Sequence, residues 1–192
     1  MALKIEKLRI ALLAAAFAVM VCAFLFYILQ SRGFFVDESR YDKLIAAAGR
    51  RHNLDPLLIK AVIAQESVFN EKAVGSAGEI GLMQILPEGA VADWARFRKR
   101  KAPVKAFLFN PELNIEIGSW YLKRAVERWK KYEHGIELAL CQYNAGERRA
   151  NKWKPSDFSG KVTGNITIKS TRVYVKRIMN KYHDYKDAQM VL

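Results

Sequence analysis

Apolar positions follow two patterns along this chain. From Ile10 to Leu29 they are nearly continuous: twenty residues without a charge, enough for a helix to cross a bilayer core of about 30 Å. Lys4, Lys7 and Arg9 precede the run, offset only by Glu6. This places the N-terminus in the cytoplasm and the remainder on the outer side of the membrane. The run ends Phe24-Leu25-Phe26-Tyr27-Ile28-Leu29, too long and bulky for a cleaved signal peptide. Met20 and Val21 before Cys22 are too large for a lipoprotein cleavage box. Residues 1–33 are therefore expected to form a cytoplasmic tip, an uncleaved transmembrane anchor and a linker. Ser31 to Phe35 reads as that linker, and residues 34–192 as one exported domain.

In the exported part the apolar positions become periodic. Tyr41, Leu44, Ile45 and Ala48 recur at helical spacing, with Asp37 as the expected N-cap. Asp55-Pro56 opens a second helix, proline taking its first position, and the helix runs to about Val68. Gly75, Gly78 and Gly81 predict a compact turn region. Pro87 opens a helix through Trp94. Asn110-Pro111-Glu112 opens a long one to about Tyr132, with Glu112 explained by the helix-start field. Ile136–Tyr143 is a short apolar helix. Thr171–Tyr182 is the last, with Tyr174, Val175 and Ile178 facing inward. No segment alternates long enough for a large sheet, so the fold class is mainly α.

Composition narrows the classes. Apolar residues make up 51% of the 192, too many for a disordered chain. Two cysteines exclude a disulfide scaffold; Cys141, in the apolar stretch Leu138–Cys141, reads as a buried free thiol. Net charge is +13, with +2 on residues 1–40 and +11 on the rest. This basic surface suits an acidic partner such as lipid heads or a wall polymer. The densest cluster, Arg96, Arg98, Lys99, Arg100, Lys101 and Lys105, reads as a solvated loop. No nucleic-acid signature accompanies the charge, so nucleic acid is not an expected partner. His52, His134 and His183 lack metal-ligand spacing and are expected at the surface or at caps. No phosphate loop, dinucleotide fingerprint or nucleophile elbow is present, and no metal or cofactor is expected.

Glu66 is the first residue out of place. Ile59, Val62, Ile63 and Glu66 fall at i, i+3, i+4 and i+7, on one helical stripe. A carboxylate there is desolvated, which raises its pKa and suits it to general-acid work. Periodicity alone equally allows a carboxylate bonded to amides at a helix end.

The motifs around it decide between these. Glu66-Ser67-Val68-Phe69 is followed by Gly75-Ser76-Ala77-Gly78-Glu79-Ile80-Gly81-Leu82-Met83-Gln84. Later come Gln142-Tyr143-Asn144-Ala145-Gly146 and Thr171-Arg172-Val173-Tyr174-Val175. Their order and spacing closely resemble the lytic transglycosylases, bacterial relatives of goose-type lysozyme, over about Tyr41 to Tyr185. The resemblance implies a lysozyme-like helical domain with a groove for a peptidoglycan glycan strand. It places the family's catalytic acid on Glu66. That acid would protonate the oxygen between N-acetylmuramic acid and N-acetylglucosamine. It would then act as base on the muramyl 6-hydroxyl, closing a 1,6-anhydro ring with help from the substrate's acetamido group. By the same resemblance, substrate contacts fall on Ser76, Met83, Gln84, Tyr143, Asn144 and Tyr174. Met83 would pack on a sugar face or, as methionine more usually does, in the core; Gln84 would bond hydroxyl or acetamido groups, and Tyr143 would orient Glu66 or the acetamido group. Asn144 would bind sugar or brace the motif, and Tyr174 either lines the groove or packs inward.

Glycosidases usually carry two carboxylates across the bond. No second acid stands in a comparable place within the matching motifs; Glu71 and Glu79 are expected to face solvent. The chain departs from the family twice: Gly75 where Ser is frequent, with Ser76 next to it, and Ser170 where many members have Glu directly before the Thr-Arg pair. The expected protein is an inner-membrane, single-pass lytic transglycosylase anchored through residues 10–29, with its catalytic domain on the periplasmic side. The alternatives are a lysozyme-type hydrolase of the same glycan and a weakly active wall-binding scaffold. Envelope or secretion-complex partners stay undefined.

Overall fold

The computed structural model describes residues 2–31 and 36–190, with the side chains of 2–5, 7–10, 28–31 and 190 left out. The chain divides into two compact units, residues 1–37 and 38–192. The expected boundary between 33 and 34 and most of the expected linker lie outside the described residues.

In the first unit one helix, α1, runs Ala2–Ser31. Glu6 and residues 11–27 are exposed throughout, Phe17 by 65% and Phe24 by 63%. Among the described residues no helix is long and apolar enough to cross a membrane.

The second unit contains seven α-helices among its described residues: α2 Asp42–His52, α3 Pro56–Ser67, α4 Ala92–Phe97, α5 Pro111–Trp129, α6 Gly135–Ala145, α7 Glu147–Trp153 and α8 Lys169–Met190. Helix α3 starts where cap chemistry dictates. The Asp55 carboxylate accepts from the Leu57 amide at 2.9 Å and Pro56 sits at the first position, occupying a site with no amide bond to lose. Asn110 caps α5 in the same way, through the Leu113 amide. Asp37 does not cap α2: Tyr41 stands at that position without a side-chain cap, because a turn closed by the Asp42 amide on the Ser39 carbonyl precedes the helix. The Pro87 segment begins as a π-turn over Pro87–Val91 before α4. A 3-10 turn, Lys105–Phe109, and α7 are additions to the sequence reading.

Helix α3 is deeply buried. Leu58, Ile59, Ala61, Val62 and Ile63 are at most 2% exposed. It packs on α8 and α2, while α5 packs on α6 and α2, and α6 also meets α7 and α8. Cys141 is fully buried on α6, and burial pushes its thiol up to about 12, an unreactive state.

Candidate active site

The last turn of α3 carries Glu66, on the buried stripe of Ile59, Val62 and Ile63 that the spacing predicts. The helix ends one residue later, where Val68 and Phe69 adopt left-handed backbone with φ of 50° and 60°. That conformation is uncommon for residues with a branched or bulky side chain. Phe69 is buried, so its packing fixes the bend that follows the acid.

Glu66 itself is half-buried. Its Oε1 accepts a hydrogen bond from the Tyr174 hydroxyl at 2.6 Å. Burial pushes the carboxyl up to about 7; the Tyr174 bond opposes this and the negative charge of Glu79 adds to it. Burial and the nearby Glu66 charge hold the Tyr174 and Tyr143 hydroxyls well above their ordinary range, so both remain donors. A half-buried acid near neutrality, steadied by one donor, can give up and regain a proton at a reacting oxygen.

The glycine-rich segment folds into a tight loop beside this acid. Two isolated bridges, Val74 to Ile80 and Ile80 to Ile85, close it. The Gly81 amide donates to the Ala73 carbonyl, and Gly81 has a φ of 76°. A side chain at Gly81 would strike the amide of Asn114, so glycine is required both for its backbone and for that approach. Asn114 is fully buried on α5. Its amide nitrogen donates to the carbonyls of Ile80 and Leu108, each at 2.8 Å, and its oxygen accepts from the Met83 amide at 2.8 Å.

The structure resolves or corrects the expectations for four side chains of this segment. Met83 is fully buried against Gly118 and the Ser119 hydroxyl, so its side chain fills the core rather than a sugar-facing surface. Both amide hydrogens of Gln84 are committed to the carbonyls of Ala73 and Gly81, which leaves only its oxygen to accept. Glu79 does not stand apart in solvent: its carboxylate accepts from the Ala77 amide at 3.0 Å and its charge is felt at Glu66. Glu71 is likewise engaged, accepting from the Tyr41 hydroxyl at 2.7 Å. Ser76 is exposed in the loop.

Gly75 is explained by the same loop. A Cβ there would collide with the Glu79 carboxylate and the Gln84 oxygen. The missing serine side chain and the presence of Glu79 are therefore linked. Gly75→Ser is expected to drive Glu79 off the Ala77 amide and cost about 1 kcal/mol. Gly75→Ser with Glu79→Ala is expected to recover most of it, read as a thermal-melt double-mutant cycle.

Of the two tyrosines, Tyr174, 6% exposed on α8, packs inward, one of the two placements expected of it, and is the one bonded to Glu66. The Tyr143 hydroxyl donates to the Met83 carbonyl at 2.8 Å, so it ties α6 to the loop. Asn144 is exposed, and its oxygen accepts from the buried Thr171 hydroxyl at 2.8 Å, which leaves its amide hydrogens for a ligand. Gln65, Asn144, Ser170 and Tyr174 line a cleft of about 510 Å3, within the usual size of ligand sites. Asn114 and Glu79 were missed from sequence. The only signal for Asn114 is a polar residue on the buried stripe of α5, beside Ile115, Ile117 and Gly118.

His52 is half-buried rather than at the surface, with Nε2 3.0 Å from Glu116. That contact, with Arg51, holds the Glu116 carboxyl down at about 2. His134 stands at the N-cap position of α6 without a side-chain cap bond, its Nδ1 lying 2.8 Å from Glu137. Among the described residues no cluster of three or more His, Cys, Asp or Glu is arranged to hold a metal ion.

Comparison with known proteins assigns the fold and motifs to a family. A family model of the transglycosylase SLT domain matches residues 43–163, more than half of the chain. The chain belongs to the transglycosylase SLT domain family. Within it, the chain is 38% identical over 158 residues to the membrane-bound lytic murein transglycosylase C of Mannheimia succiniciproducens, covering 80% of this chain and 44% of that protein. It is 29% identical over 161 residues to the membrane-bound lytic murein transglycosylase E of Buchnera aphidicola, covering 73% of this chain and 76% of the relative. The crystal structure of the 70-kDa soluble lytic transglycosylase of Escherichia coli superposes with a TM-score of 0.67 at 26% identity. The superposition covers 79% of this chain and 25% of that one. The SLT domain is thus the mainly helical, lysozyme-like fold expected from the sequence.

Proposed function

We propose that this protein is a membrane-bound lytic transglycosylase. It cleaves the β-1,4 bond between N-acetylmuramic acid and N-acetylglucosamine in peptidoglycan and leaves 1,6-anhydro-muramyl ends. The observation that carries this reading is Glu66, a half-buried carboxyl with a pKa of about 7 and a tyrosine at 2.6 Å, in a domain of the transglycosylase SLT family.

In the first step the protonated Glu66 gives its proton to the glycosidic oxygen as the C1–O bond breaks. The glucosaminyl hydroxyl leaves. In the second, the Glu66 carboxylate takes the proton of the muramyl 6-hydroxyl as its oxygen bonds to C1. Glu66 is thereby returned to its acid form, and no water is consumed. The Tyr174 hydroxyl is a positioning group: it holds one carboxyl oxygen and steadies the charge between the two steps. Tyr174→Phe removes that support, so Glu66 binds its proton more tightly. The basic limb of the pH–rate profile is expected to move to higher pH, with kcat reduced about tenfold.

The anchor completes the reading. The run Ile10–Leu29 lies within α1, where twenty residues span about 30 Å, and its described side chains are exposed as lipid-facing ones would be. The basic flank orients the SLT domain to the periplasmic side. Relatives named membrane-bound support a membrane location.

The test uses the full chain in detergent on purified peptidoglycan, with mass spectrometry of the released fragments. Anhydro-muramyl ends lost in Glu66→Gln establish the reaction. One observation favours hydrolysis instead: a second carboxylate, Glu79, acts on Glu66. Products heavier by one water would establish that reading, and no release with intact wall binding would leave a scaffold.

A further inference from the structure

The cleft beside Glu66 and Tyr174 is lined by two cations and no carboxylate. Lys169, Val173 and Arg177 lie four residues apart on one stripe of α8. Other cations of α8 are engaged: Lys181 pairs with Glu38 at 2.9 Å, Lys186 lies 4.0 Å from Asp55, and Arg172 donates to the Ile166 carbonyl. Among the described residues Lys169 and Arg177 have no hydrogen-bond or ion-pair partner, and both are exposed. Lys176, also unpaired, does not line the cleft.

Ser170 stands between them in the same cleft. An acid at that position would neutralise the pair or repel an anion; serine does neither. Asn144 adds amide donors, because its oxygen is already committed to Thr171. Val173, 40% exposed, adds an apolar patch. Arg177 presents a planar fork that matches a carboxylate in two bonds, and Lys169 a point charge. Arg177 also lines a second cleft with Gln65, Val68 and Phe69, where the acid, Glu38, is paired with Lys181.

We propose that Lys169 and Arg177, with Ser170 between them, form a carboxylate-binding subsite that selects glycan strands still carrying their acidic peptide stems. The inference rests on the glycan-strand reading of the groove. It adds a substrate preference that the acid at Glu66 does not itself require.

The experiment measures binding rather than turnover, so the two readings fail separately. The full chain with Glu66→Gln, in detergent, is titrated with three soluble glycan preparations. These are peptide-bearing strands, the same strands with their carboxylates amidated, and peptide-free strands whose lactyl carboxylates are exposed. Peptide-bearing strands are expected to bind about tenfold more tightly than amidated ones, a difference of about 1.4 kcal/mol. Lys169→Gln with Arg177→Gln is expected to abolish that preference and to flatten its salt dependence. Ser170→Glu, on an exposed first turn that accepts an acid readily, is expected to abolish it without loss of fold.

Equal binding of native and amidated strands overturns the subsite, as does a preference that survives both variants. Tight binding of peptide-free strands, lost on amidation and in both variants, would retain the carboxylate site but move its ligand from the stem to the lactyl group. Absence of anhydro products from the wild-type chain, with the preference intact, would overturn the transglycosylase reading alone.

Discussion

Replacing Glu66 by Gln is expected to lower the rate of glycan release by about a thousandfold, within the usual range for a lost general acid. Gln can still accept the Tyr174 hydrogen bond, so the loss reads out the proton and not the packing. The pH profile carries an independent signature. With a pKa of about 7, Glu66 is mostly protonated at pH 6 and mostly ionised at pH 8. The wild-type rate should therefore fall through pH 7 with a slope of one proton. Stability should move the opposite way in the variant. The folded pKa lies above the ordinary carboxyl value of 4.5, so the wild-type fold loses stability as pH rises from about 4.5 to 7. Above pH 7 the full cost of a desolvated carboxylate is in place, at most about 3 kcal/mol. Glu66→Gln should accordingly melt higher than wild type at pH 8 and at the same temperature at pH 4. Paired melting curves at the two pH values check this. A variant less stable at both would mean that Glu66 is a structural carboxylate.

Asn114→Ala should produce the largest loss of stability. Asn114 is completely buried, and its three hydrogen bonds go to backbone groups of Ile80, Met83 and Leu108. Truncation leaves one buried amide and two buried carbonyls without that partner. Each orphaned group costs about 1–3 kcal/mol, and partial relaxation makes about 3–5 kcal/mol a reasonable total. For a domain of this size the melting temperature should drop by roughly 10 °C or more. Asn114→Asp should not rescue: it keeps the acceptor for Met83, loses both donors and buries a charge. Activity should fall with stability, because Asn114 holds the loop that brings Glu79 toward Glu66. Thermal melts and glycan-release rates on the same preparations separate the two effects. A melting temperature within 2 °C of wild type would show that the loop holds itself.

The site was legible where local chemistry decides. Proline at position 56 behind an aspartate cap, and the i, i+3, i+4, i+7 stripe ending in Glu66, each report backbone geometry within a dozen residues. Both were read correctly for that reason. Tyr143 and Tyr174 were harder, because either could have faced the acid and sequence spacing does not rank them. The motif left Met83 open between a sugar face and the core, and gave no sign that the Gln84 amide hydrogens bond their own loop. The left-handed turn at Gln84, with φ of 46°, closes the loop so that the amide bonds its own backbone while Met83 points into α5.

The sequence by itself determined most of the helices, the capped starts of α3 and α5, the uncharged run in α1 and the place of Glu66 on the buried stripe of α3. All of these follow from periodicity, capping and the order of motifs. Only the tertiary structure decided what surrounds that acid. The Tyr174–Glu66 bond spans 108 residues and depends on how α8 packs against α3. The Asn114–Met83 bond spans 31 and depends on the seat of the loop against α5. The proximity of Glu79 to Glu66 arises from the same loop closure. Such contacts set the proton affinity of Glu66, because desolvation and neighbouring charge act through space and not along the chain.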